Sequence, residues 1–397
     1  MVIKEGYKQT EIGVIPNDWT VKTLGECLVK NPDYGINAAA VNYNDNLPTY
    51  LRITDISEDG KYINLNKVSV DNFQADSYYL EDDDIVFART GASVGKTYLY
   101  DKNDGRLVFA GFLIRAKSNP KILNSKYLLF STQTKHYWSW VLANSMRSGQ
   151  PGLNSNEYKS FQIALPPTLA EQTAIAKALS DADGLITGLV KLIAKKQNIK
   201  QGAMQQLLQP KEGWEVIKLG DYVKITSGES PSKFNFKQNG VPYFKVDQLN
   251  NSEKYQIDTP YYIETINIIP KGSIIFPKRG ASILLNKVRI LKEDSYMDTN
   301  LMTLTLYEEL ESEFIYYMLI YIELWRIADT TSIPQINNKH INPIEISFPS
   351  KVEQTRIATI LSDMDSELSA LEQKLEKYKK VKLGMMQELL TGKTRLV

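Results

Sequence analysis

Glu171 to Leu208 reads EQTAIAKALSDADGLITGLVKLIAKKQNIKQGAMQQLL, and Glu353 to Leu390 reads EQTRIATILSDMDSELSALEQKLEKYKKVKLGMMQELL. The second stretch lies 182 positions after the first at both ends, needs no gap, and repeats 17 of the 38 residues. A repeat of this kind governs the whole fold and is read before anything else. Neither copy contains proline, and Glu, Gln, Ala, Leu, Lys and Met dominate, so each reads as one long helix. At about 1.5 Å per residue, each helix runs on the order of 50 Å. In the second copy Leu361, Met364, Leu368, Leu371, Leu375 and Tyr378 recur at alternating spacings of three and four, the a/d seam of a coiled coil. The first copy places Leu179, Ala182, Ile186, Leu189, Ile193 and Lys196 at the same points. Isolated helices have no use for seams this long, so the two are expected to face each other.

The repeat extends outward from the helices. Trp19-Thr20-Val21-Lys22-Thr23-Leu24-Gly25-Glu26 is echoed by Trp214-Glu215-Val216-Ile217-Lys218-Leu219-Gly220-Asp221. Tyr50-Leu51-Arg52-Ile53 matches Tyr243-Phe244-Lys245-Val246, and the run from Ile85 to Ser93 matches the run from Ile274 to Ser282. Pro151-Gly152-Leu153-Asn154 matches Pro334-Gln335-Ile336-Asn337. These runs are rich in Val, Ile, Tyr and Phe and bounded by Gly, Asn, Asp and Pro, as short strands and turns are. Asp33 to Asn46 and Asn103 to Asn144 have no clear counterpart. The expected organisation is a mixed α/β (α+β) chain with pseudo-two-fold repetition: a first globular domain over 1–166, a helix over 167–209, a second domain over 210–349 and a second helix over 350–397. The two helices are expected to form an antiparallel coiled coil. Residues 1–15 read as polar and loosely ordered. A frame kept twice around divergent interiors suits a protein that reads two different short targets.

The chain has 397 residues, 43% hydrophobic and 23% charged, as an ordinary globular protein of two or three domains has. One cysteine, Cys27, excludes a disulfide framework. No apolar run approaches the roughly 18 residues of a membrane span, and the opening MVIKEGYKQTEIG has no apolar core, so a cytoplasmic protein without a membrane partner is expected. Net charge is +1, with 16 basic and 16 acidic residues over 12–166 and 15 and 18 over 211–350. Any nucleic-acid surface must therefore come from local clustering.

Several apparent motifs fail. Gly91-Ala92-Ser93-Val94-Gly95-Lys96-Thr97 has three residues between its glycines where a phosphate loop has four, and Tyr98-Leu99-Tyr100 behind it reads as strand. Asn31-Pro32-Asp33-Tyr34 differs at its third place from the catalytic tetrapeptide of amino-methyltransferases and reads as a polar turn. His136 and His340 stand far apart without neighbouring cysteines, which gives no zinc pattern. Glu81-Asp82-Asp83-Asp84 reads as a solvated turn. No catalytic, cofactor-binding or metal-ligating residue is therefore assigned. What remains is a basic loop in each half: Arg89, Thr90, Ser93 and Lys96 around Gly91, and Lys278, Arg279, Ser282 and Lys287 around Gly280. Arginine forks match guanine edges, and lysine, serine and backbone amides bind phosphates. A second polar set comprises Arg147, Ser148, Gln150 and Asn154 in the first half, and Gln335, Asn337, Asn338 and Lys339 in the second.

The chain resembles the specificity subunit of type I restriction-modification systems over essentially its whole length. The resemblance rests on Ile15-Pro16-x-x-Trp19, on Pro167-x-x-x-Glu171-Gln172 and Pro349-x-x-x-Glu353-Gln354 with their helices, and on the helix ends from Met204 to Leu208 and Met386 to Lys393. It implies two target-recognition domains, each gripping one half of a bipartite double-stranded DNA sequence, and two paired helices acting as a spacer. It implies two bound methyltransferase subunits and, in the full enzyme, restriction-motor subunits. The subunit itself is then non-catalytic: S-adenosylmethionine belongs to the methyltransferase, ATP and magnesium to the motor. The alternatives are the recognition subunit of a related two-sided-cutting (type IIB-like) system, a protein-only coiled-coil scaffold, and a single-chain methyltransferase–nuclease, whose methyl-donor motif is missing.

Overall fold

The computed structural model describes residues 5–251, 253–329 and 333–396; the readings made for residues 1–4 and 397 lie outside these. In chain order its α-helices are α1 (Ser125–Ser131), α2 (Lys135–Ser145), α3 (Ser155–Lys159), α4 (Leu169–Leu208), α5 (Ser312–Ile322), α6 (Asn338–Ile341) and α7 (Lys351–Leu389). The chain divides into two compact units. One comprises residues 1–189 with 374–397, the other residues 190–373. Each unit thus holds a globular part, one end of α4 and one end of α7.

In the first unit, strands Asp84–Ala88, Leu113–Lys117, Thr97–Leu99 and Asp33–Tyr34 form an antiparallel sheet. A second sheet pairs Leu107–Phe109 in parallel with Thr49–Leu51, and continues antiparallel through Val68–Val70 and Ala40–Asn42. Asp84–Ala88 is buried at all five positions, and after Asp84 its residues Ile85 to Ala88 form a continuous apolar run and not an alternation. The stretch around Trp19 forms Thr20–Thr23, which pairs with Gln162–Leu165 just before α4. The core joins Trp19, Phe87 and Tyr137 to Ile175, Ala176 and Leu179 of α4 and to Met386 and Leu389 of α7.

The second unit repeats the plan. Ile274–Pro277 and Leu301–Leu306 pair antiparallel as their counterparts do, Val241–Phe244 runs parallel to Tyr296–Met297, and Glu215–Lys218 pairs with Glu345–Phe348 before α7. Its core takes Met204 and Leu208 from α4 and Ile357, Ala358 and Leu361 from α7. In both units the central strand, Asp84–Ala88 or Ile274–Pro277, is buried throughout, and the helix ends complete the core.

The doubled Glu-Gln signature has a physical reason. Gln172 accepts from the Asn124 N–H at 2.9 Å and donates to the Ile122 carbonyl at 3.0 Å. Gln354 accepts from the Glu311 N–H at 2.9 Å and donates to the carbonyls of Glu309 and Pro349. Asn124 and Glu311 are the N-caps of α1 and α5, so each glutamine ties the long helix to the cap of a domain helix. Leaving such buried backbone groups unpaired costs about 1–3 kcal/mol. The neighbouring acid is also engaged twice: Glu171 pairs with Arg395, which reaches Asp18 at 3.1 Å, and Glu353 lies 4.0 Å from Lys211.

Within each unit the long helices run antiparallel. In the second unit Lys196 pairs with Glu367 at 2.6 Å and Lys200 with Asp365, one partner ascending as the other descends. In the first unit Lys382 pairs with Asp183 at 2.6 Å. Lys382 and Asp365 stand 182 positions after Lys200 and Asp183, so the ion pair is itself duplicated. Each lysine also lies over an aromatic ring of its domain, Phe130 at 5.4 Å and Tyr317 at 5.7 Å. Of the seam positions, Leu179, Leu189, Ile193, Leu361 and Leu368 are buried. Ile186, Met364, Leu371, Leu375 and Tyr378 are half-buried.

Four readings are corrected. Residues 7–16 are not loose: Tyr7–Thr10 and Gly13–Pro16 pair as a hairpin, and the Tyr7 hydroxyl donates to the Gly392 carbonyl at 3.3 Å. Asp84 is not solvated: it is buried, accepts from the Glu81 N–H and lies 3.5 Å from Arg115. Asp33 begins a short strand and pairs with Arg115 at 2.6 Å, which a turn reading had missed. Asn103 to Asn144 also acquires a counterpart: both units follow the central strand with a domain helix, α1 or α5, although the sequences have diverged.

Candidate nucleic-acid interface

The two polar sets read separately in each half meet in space. The Gly91 N–H donates to the Pro151 carbonyl at 2.9 Å, and the Leu153 N–H donates to the Arg89 carbonyl at 2.9 Å. In the second unit Gly280 donates to Pro334 at 3.0 Å, and Ile336 donates to Lys278 at 2.8 Å. Gly91 (φ 70°) and Gly280 (φ 85°) turn the chain in the left-handed region that side chains disfavour, which explains the glycine in both loops. The loop behind Gly91 is a single 3-10 turn leading into Thr97–Leu99, with no helix to hold a phosphate.

The candidate side chains divide by what already engages them. Lys96 pairs with Glu58 at 2.7 Å, and Arg147 pairs with Glu157 and donates to the Asn144 carbonyl. Lys287 donates to the Asn250 side chain, and Lys339 lies 3.2 Å from Asp329. Asn154 accepts from the Glu157 N–H as the N-cap of α3. Asn337 donates its N–H to His340 Nδ1, and the ring's Nε2 lies 3.2 Å from Asp329. Gln335 bridges Arg279 through the backbone. Gln150 folds over Gly91, where an added Cβ would lie 2.7 Å from its amide nitrogen. Thr90 bridges Gly152, Ser93 and Ser282 are half-buried, and Arg279 is exposed. Burial holds the Lys278 ammonium below the usual lysine range; Arg279 adds to this and Asp298 opposes it.

Arg89 has another setting. Its guanidinium lies 4.8 Å over the Tyr34 ring and lines a cleft of ≈ 700 Å³ with Asn37, Tyr50, Arg52 and Phe112. Among the described residues, no carboxylate lines that cleft. Arg52 supplies a second cation, held by Asp55 at 2.7 and 2.9 Å. Its counterpart Lys245 lies 3.5 Å over the Tyr261 ring. Arg52 and Lys245 were not chosen from sequence as site residues, although a base at one place in the Tyr50 and Tyr243 echoes was the available signal.

Both halves of this duplicated frame match a known family. The family model described as "Type I restriction modification DNA specificity domain" matches residues 16–201 and again 211–381. The chain belongs to this specificity family. A protein of Methanocaldococcus jannaschii named for the specificity subunit of type I restriction enzyme MjaX is 27% identical, over 99% of this chain and 97% of its own. The type I restriction enzyme MjaVIII specificity subunit of that organism is 28% identical over 50% of this chain and 46% of its own. Among solved structures, the S subunit of a type I system from M. genitalium aligns with a TM-score of 0.61 at 17% identity, covering 98% of both chains. A chain from a study of type I complex assembly aligns with a TM-score of 0.61 at 17% identity, covering 96% of this chain and 99% of that one. These two likenesses establish the specificity-subunit fold. Among the described residues, no helix is long and apolar enough to cross a membrane.

Proposed function

We propose that this specificity subunit reads a bipartite double-stranded DNA target in the cytoplasm, one unit per half-site, and scaffolds two methyltransferase subunits together with restriction-motor subunits. The observation that carries this is the double occurrence of one frame, with a basic loop at Gly91 and at Gly280 set in the same backbone bonds but bearing different side chains. A shared frame keeps register on the DNA, while side chains that differ select sequence. In this reading the chain performs no chemistry. S-adenosylmethionine serves the methyltransferase partner, and ATP and magnesium serve the motor.

The test is co-expression with the methyltransferase partner. Native mass measurement should find two methyltransferase copies per chain, and sequencing of the host DNA should find adenine methylated in a split, asymmetric motif. The chain alone should methylate nothing. A complex that binds DNA without sequence preference would make this a protein-only scaffold, and methylation by the chain alone would end the non-catalytic reading.

A further inference from the structure

We propose that Arg89 reads a guanine edge in one half of the DNA target, and that the cleft around it sets the sequence preference of the first unit. This rests on the DNA-reading function above and names the residue and base class that carry it. Both units build one backbone crossing. The Ala110 N–H donates to the Leu51 carbonyl at 3.0 Å, and the Asp298 N–H to the Phe244 carbonyl at 2.9 Å. The Arg89 N–H donates to the Phe112 carbonyl at 3.0 Å, and the Lys278 N–H to the Asn300 carbonyl at 2.8 Å. Gly35 and Gly228 pass so close to this crossing that a Cβ at either would strike the carbonyls behind it, Phe109 and Ala110 in one unit, Met297 and Asp298 in the other. The backbone is held constant, yet the side chains change: Arg89 becomes Lys278, Ala110 becomes Asp298 and Phe112 becomes Asn300. A device that reads two different half-sites must differ where it touches bases, and this crossing has that character.

Within the first cleft, Arg89 is the side chain with a fork to offer. Arg52 is committed to Asp55 and to the Asn66 carbonyl at 3.1 Å. Among the described residues, Arg89 makes one long contact, to the Gly111 carbonyl at 3.5 Å, and its buried Nε has no hydrogen-bond partner. The Tyr34 ring supports the guanidinium from one side, its centroid 4.8 Å away. The terminal nitrogens of this fork, beyond that long contact, match the O6 and N7 acceptors of guanine. Apolar walls suit a base edge more than a phosphate: Ile36 lines the cleft, and Phe112 stands 60% exposed at its rim. Lys278 carries charge at the same place but no fork, and Asp298 adds an acceptor beside it, so the second half-site is read by other chemistry.

The test uses the complex of the full chain with its methyltransferase partner, carrying Arg89→Ala or Arg89→Lys, with the methylated motif and competition binding as readouts. The first half-site is identified by replacing residues 12–166 with those of a relative. Both variants should relax a single guanine position there, with discrimination at that position falling roughly tenfold to a hundredfold, while the second half-site is unchanged. Arg89→Lys separates the alternatives because it keeps the charge and loses the fork. Three results overturn the proposal: equal weakening on all sequences with the salt slope reduced by about one, which marks a phosphate contact; an unchanged motif; or loss of both half-sites or of all methylation in both variants, which marks a structural role. A wild-type motif with no guanine–cytosine pair in the first half-site also overturns it while leaving the proposed function standing. A wild-type complex with no split motif would instead overturn the function.

Discussion

A single guanidinium in the first unit holds two carboxylates of opposite tendency. Arg115 reaches Asp33 at 2.6 and 3.1 Å and lies 3.5 Å from Asp84. Burial pushes the Asp33 carboxyl up, but the hydrogen bonds and charge of Arg115 prevail and leave it below the ordinary aspartate range. Asp84 lies deeper, and there burial prevails over Arg115 and the Glu81 N–H, leaving its carboxyl raised. The signs follow from linkage. Asp33 stabilises the unit fully above the ordinary aspartate pKa of about 3.9, and that contribution is lost as pH falls through its lower native value. Asp84 acts in the reverse sense, since its protonation on the same descent relieves a cost. Asp33→Asn should therefore flatten the fall of the urea midpoint with acidification between about pH 5 and pH 3. An equally steep fall in the variant would show that Asp33 does not contribute to acid lability.

At the scale of elements, α4 and α7 are held in register by charge as well as by their seam. Lys196 with Glu367 and Lys200 with Asp365 fix which residues face each other in the second unit. A seven-residue insertion after Lys195 alone would slip that register, because α7 would not lengthen with it. Matched heptads after Lys195 and after Ala370 keep both seams nearly in phase and add about 10 Å to each helix. If the helices act as the spacer that the family resemblance implies, the unspecified stretch of the methylated motif lengthens by about three base pairs at roughly 3.4 Å each. Both half-sites should stay as they were. An active double insertion with an unchanged spacer would assign the distance to the partner subunits.

At the scale of the whole molecule, each compact unit is built from segments distant in sequence. Met386 and Leu389 complete the core beneath Trp19, and Met204 and Leu208 complete the core that holds Phe314 and Ile357. The globular interiors are the separable parts. Replacing residues 12–166 with the matching domain of a relative should change one half of the methylated motif and leave the other. A change in both halves would mean that the units do not read independently. The replaced domain must carry a cap able to receive Gln172 and an acid able to receive Arg395, or the chimera will lose stability before it loses specificity.

The repeat and the two long helices were determined by the sequence alone. Helix periodicity, proline placement and an ungapped duplication are properties of the chain read locally, and they survive divergence because the helices must keep packing. The failure of Gly91 to Thr97 as a phosphate loop was equally local, a matter of spacing. Tertiary structure alone decided which loops meet, because the contact between Gly91 and Pro151 joins residues 60 positions apart through backbone bonds that carry no side-chain signature. It alone decided which polar side chains are already engaged: Asn154 reads as a base-recognising amide until it is seen capping α3, and Lys96 as a free cation until Glu58 is found beside it. It alone placed Arg52, Arg89 and Tyr34 around one cleft, since two sheets with different strand orders must pack before those residues become neighbours.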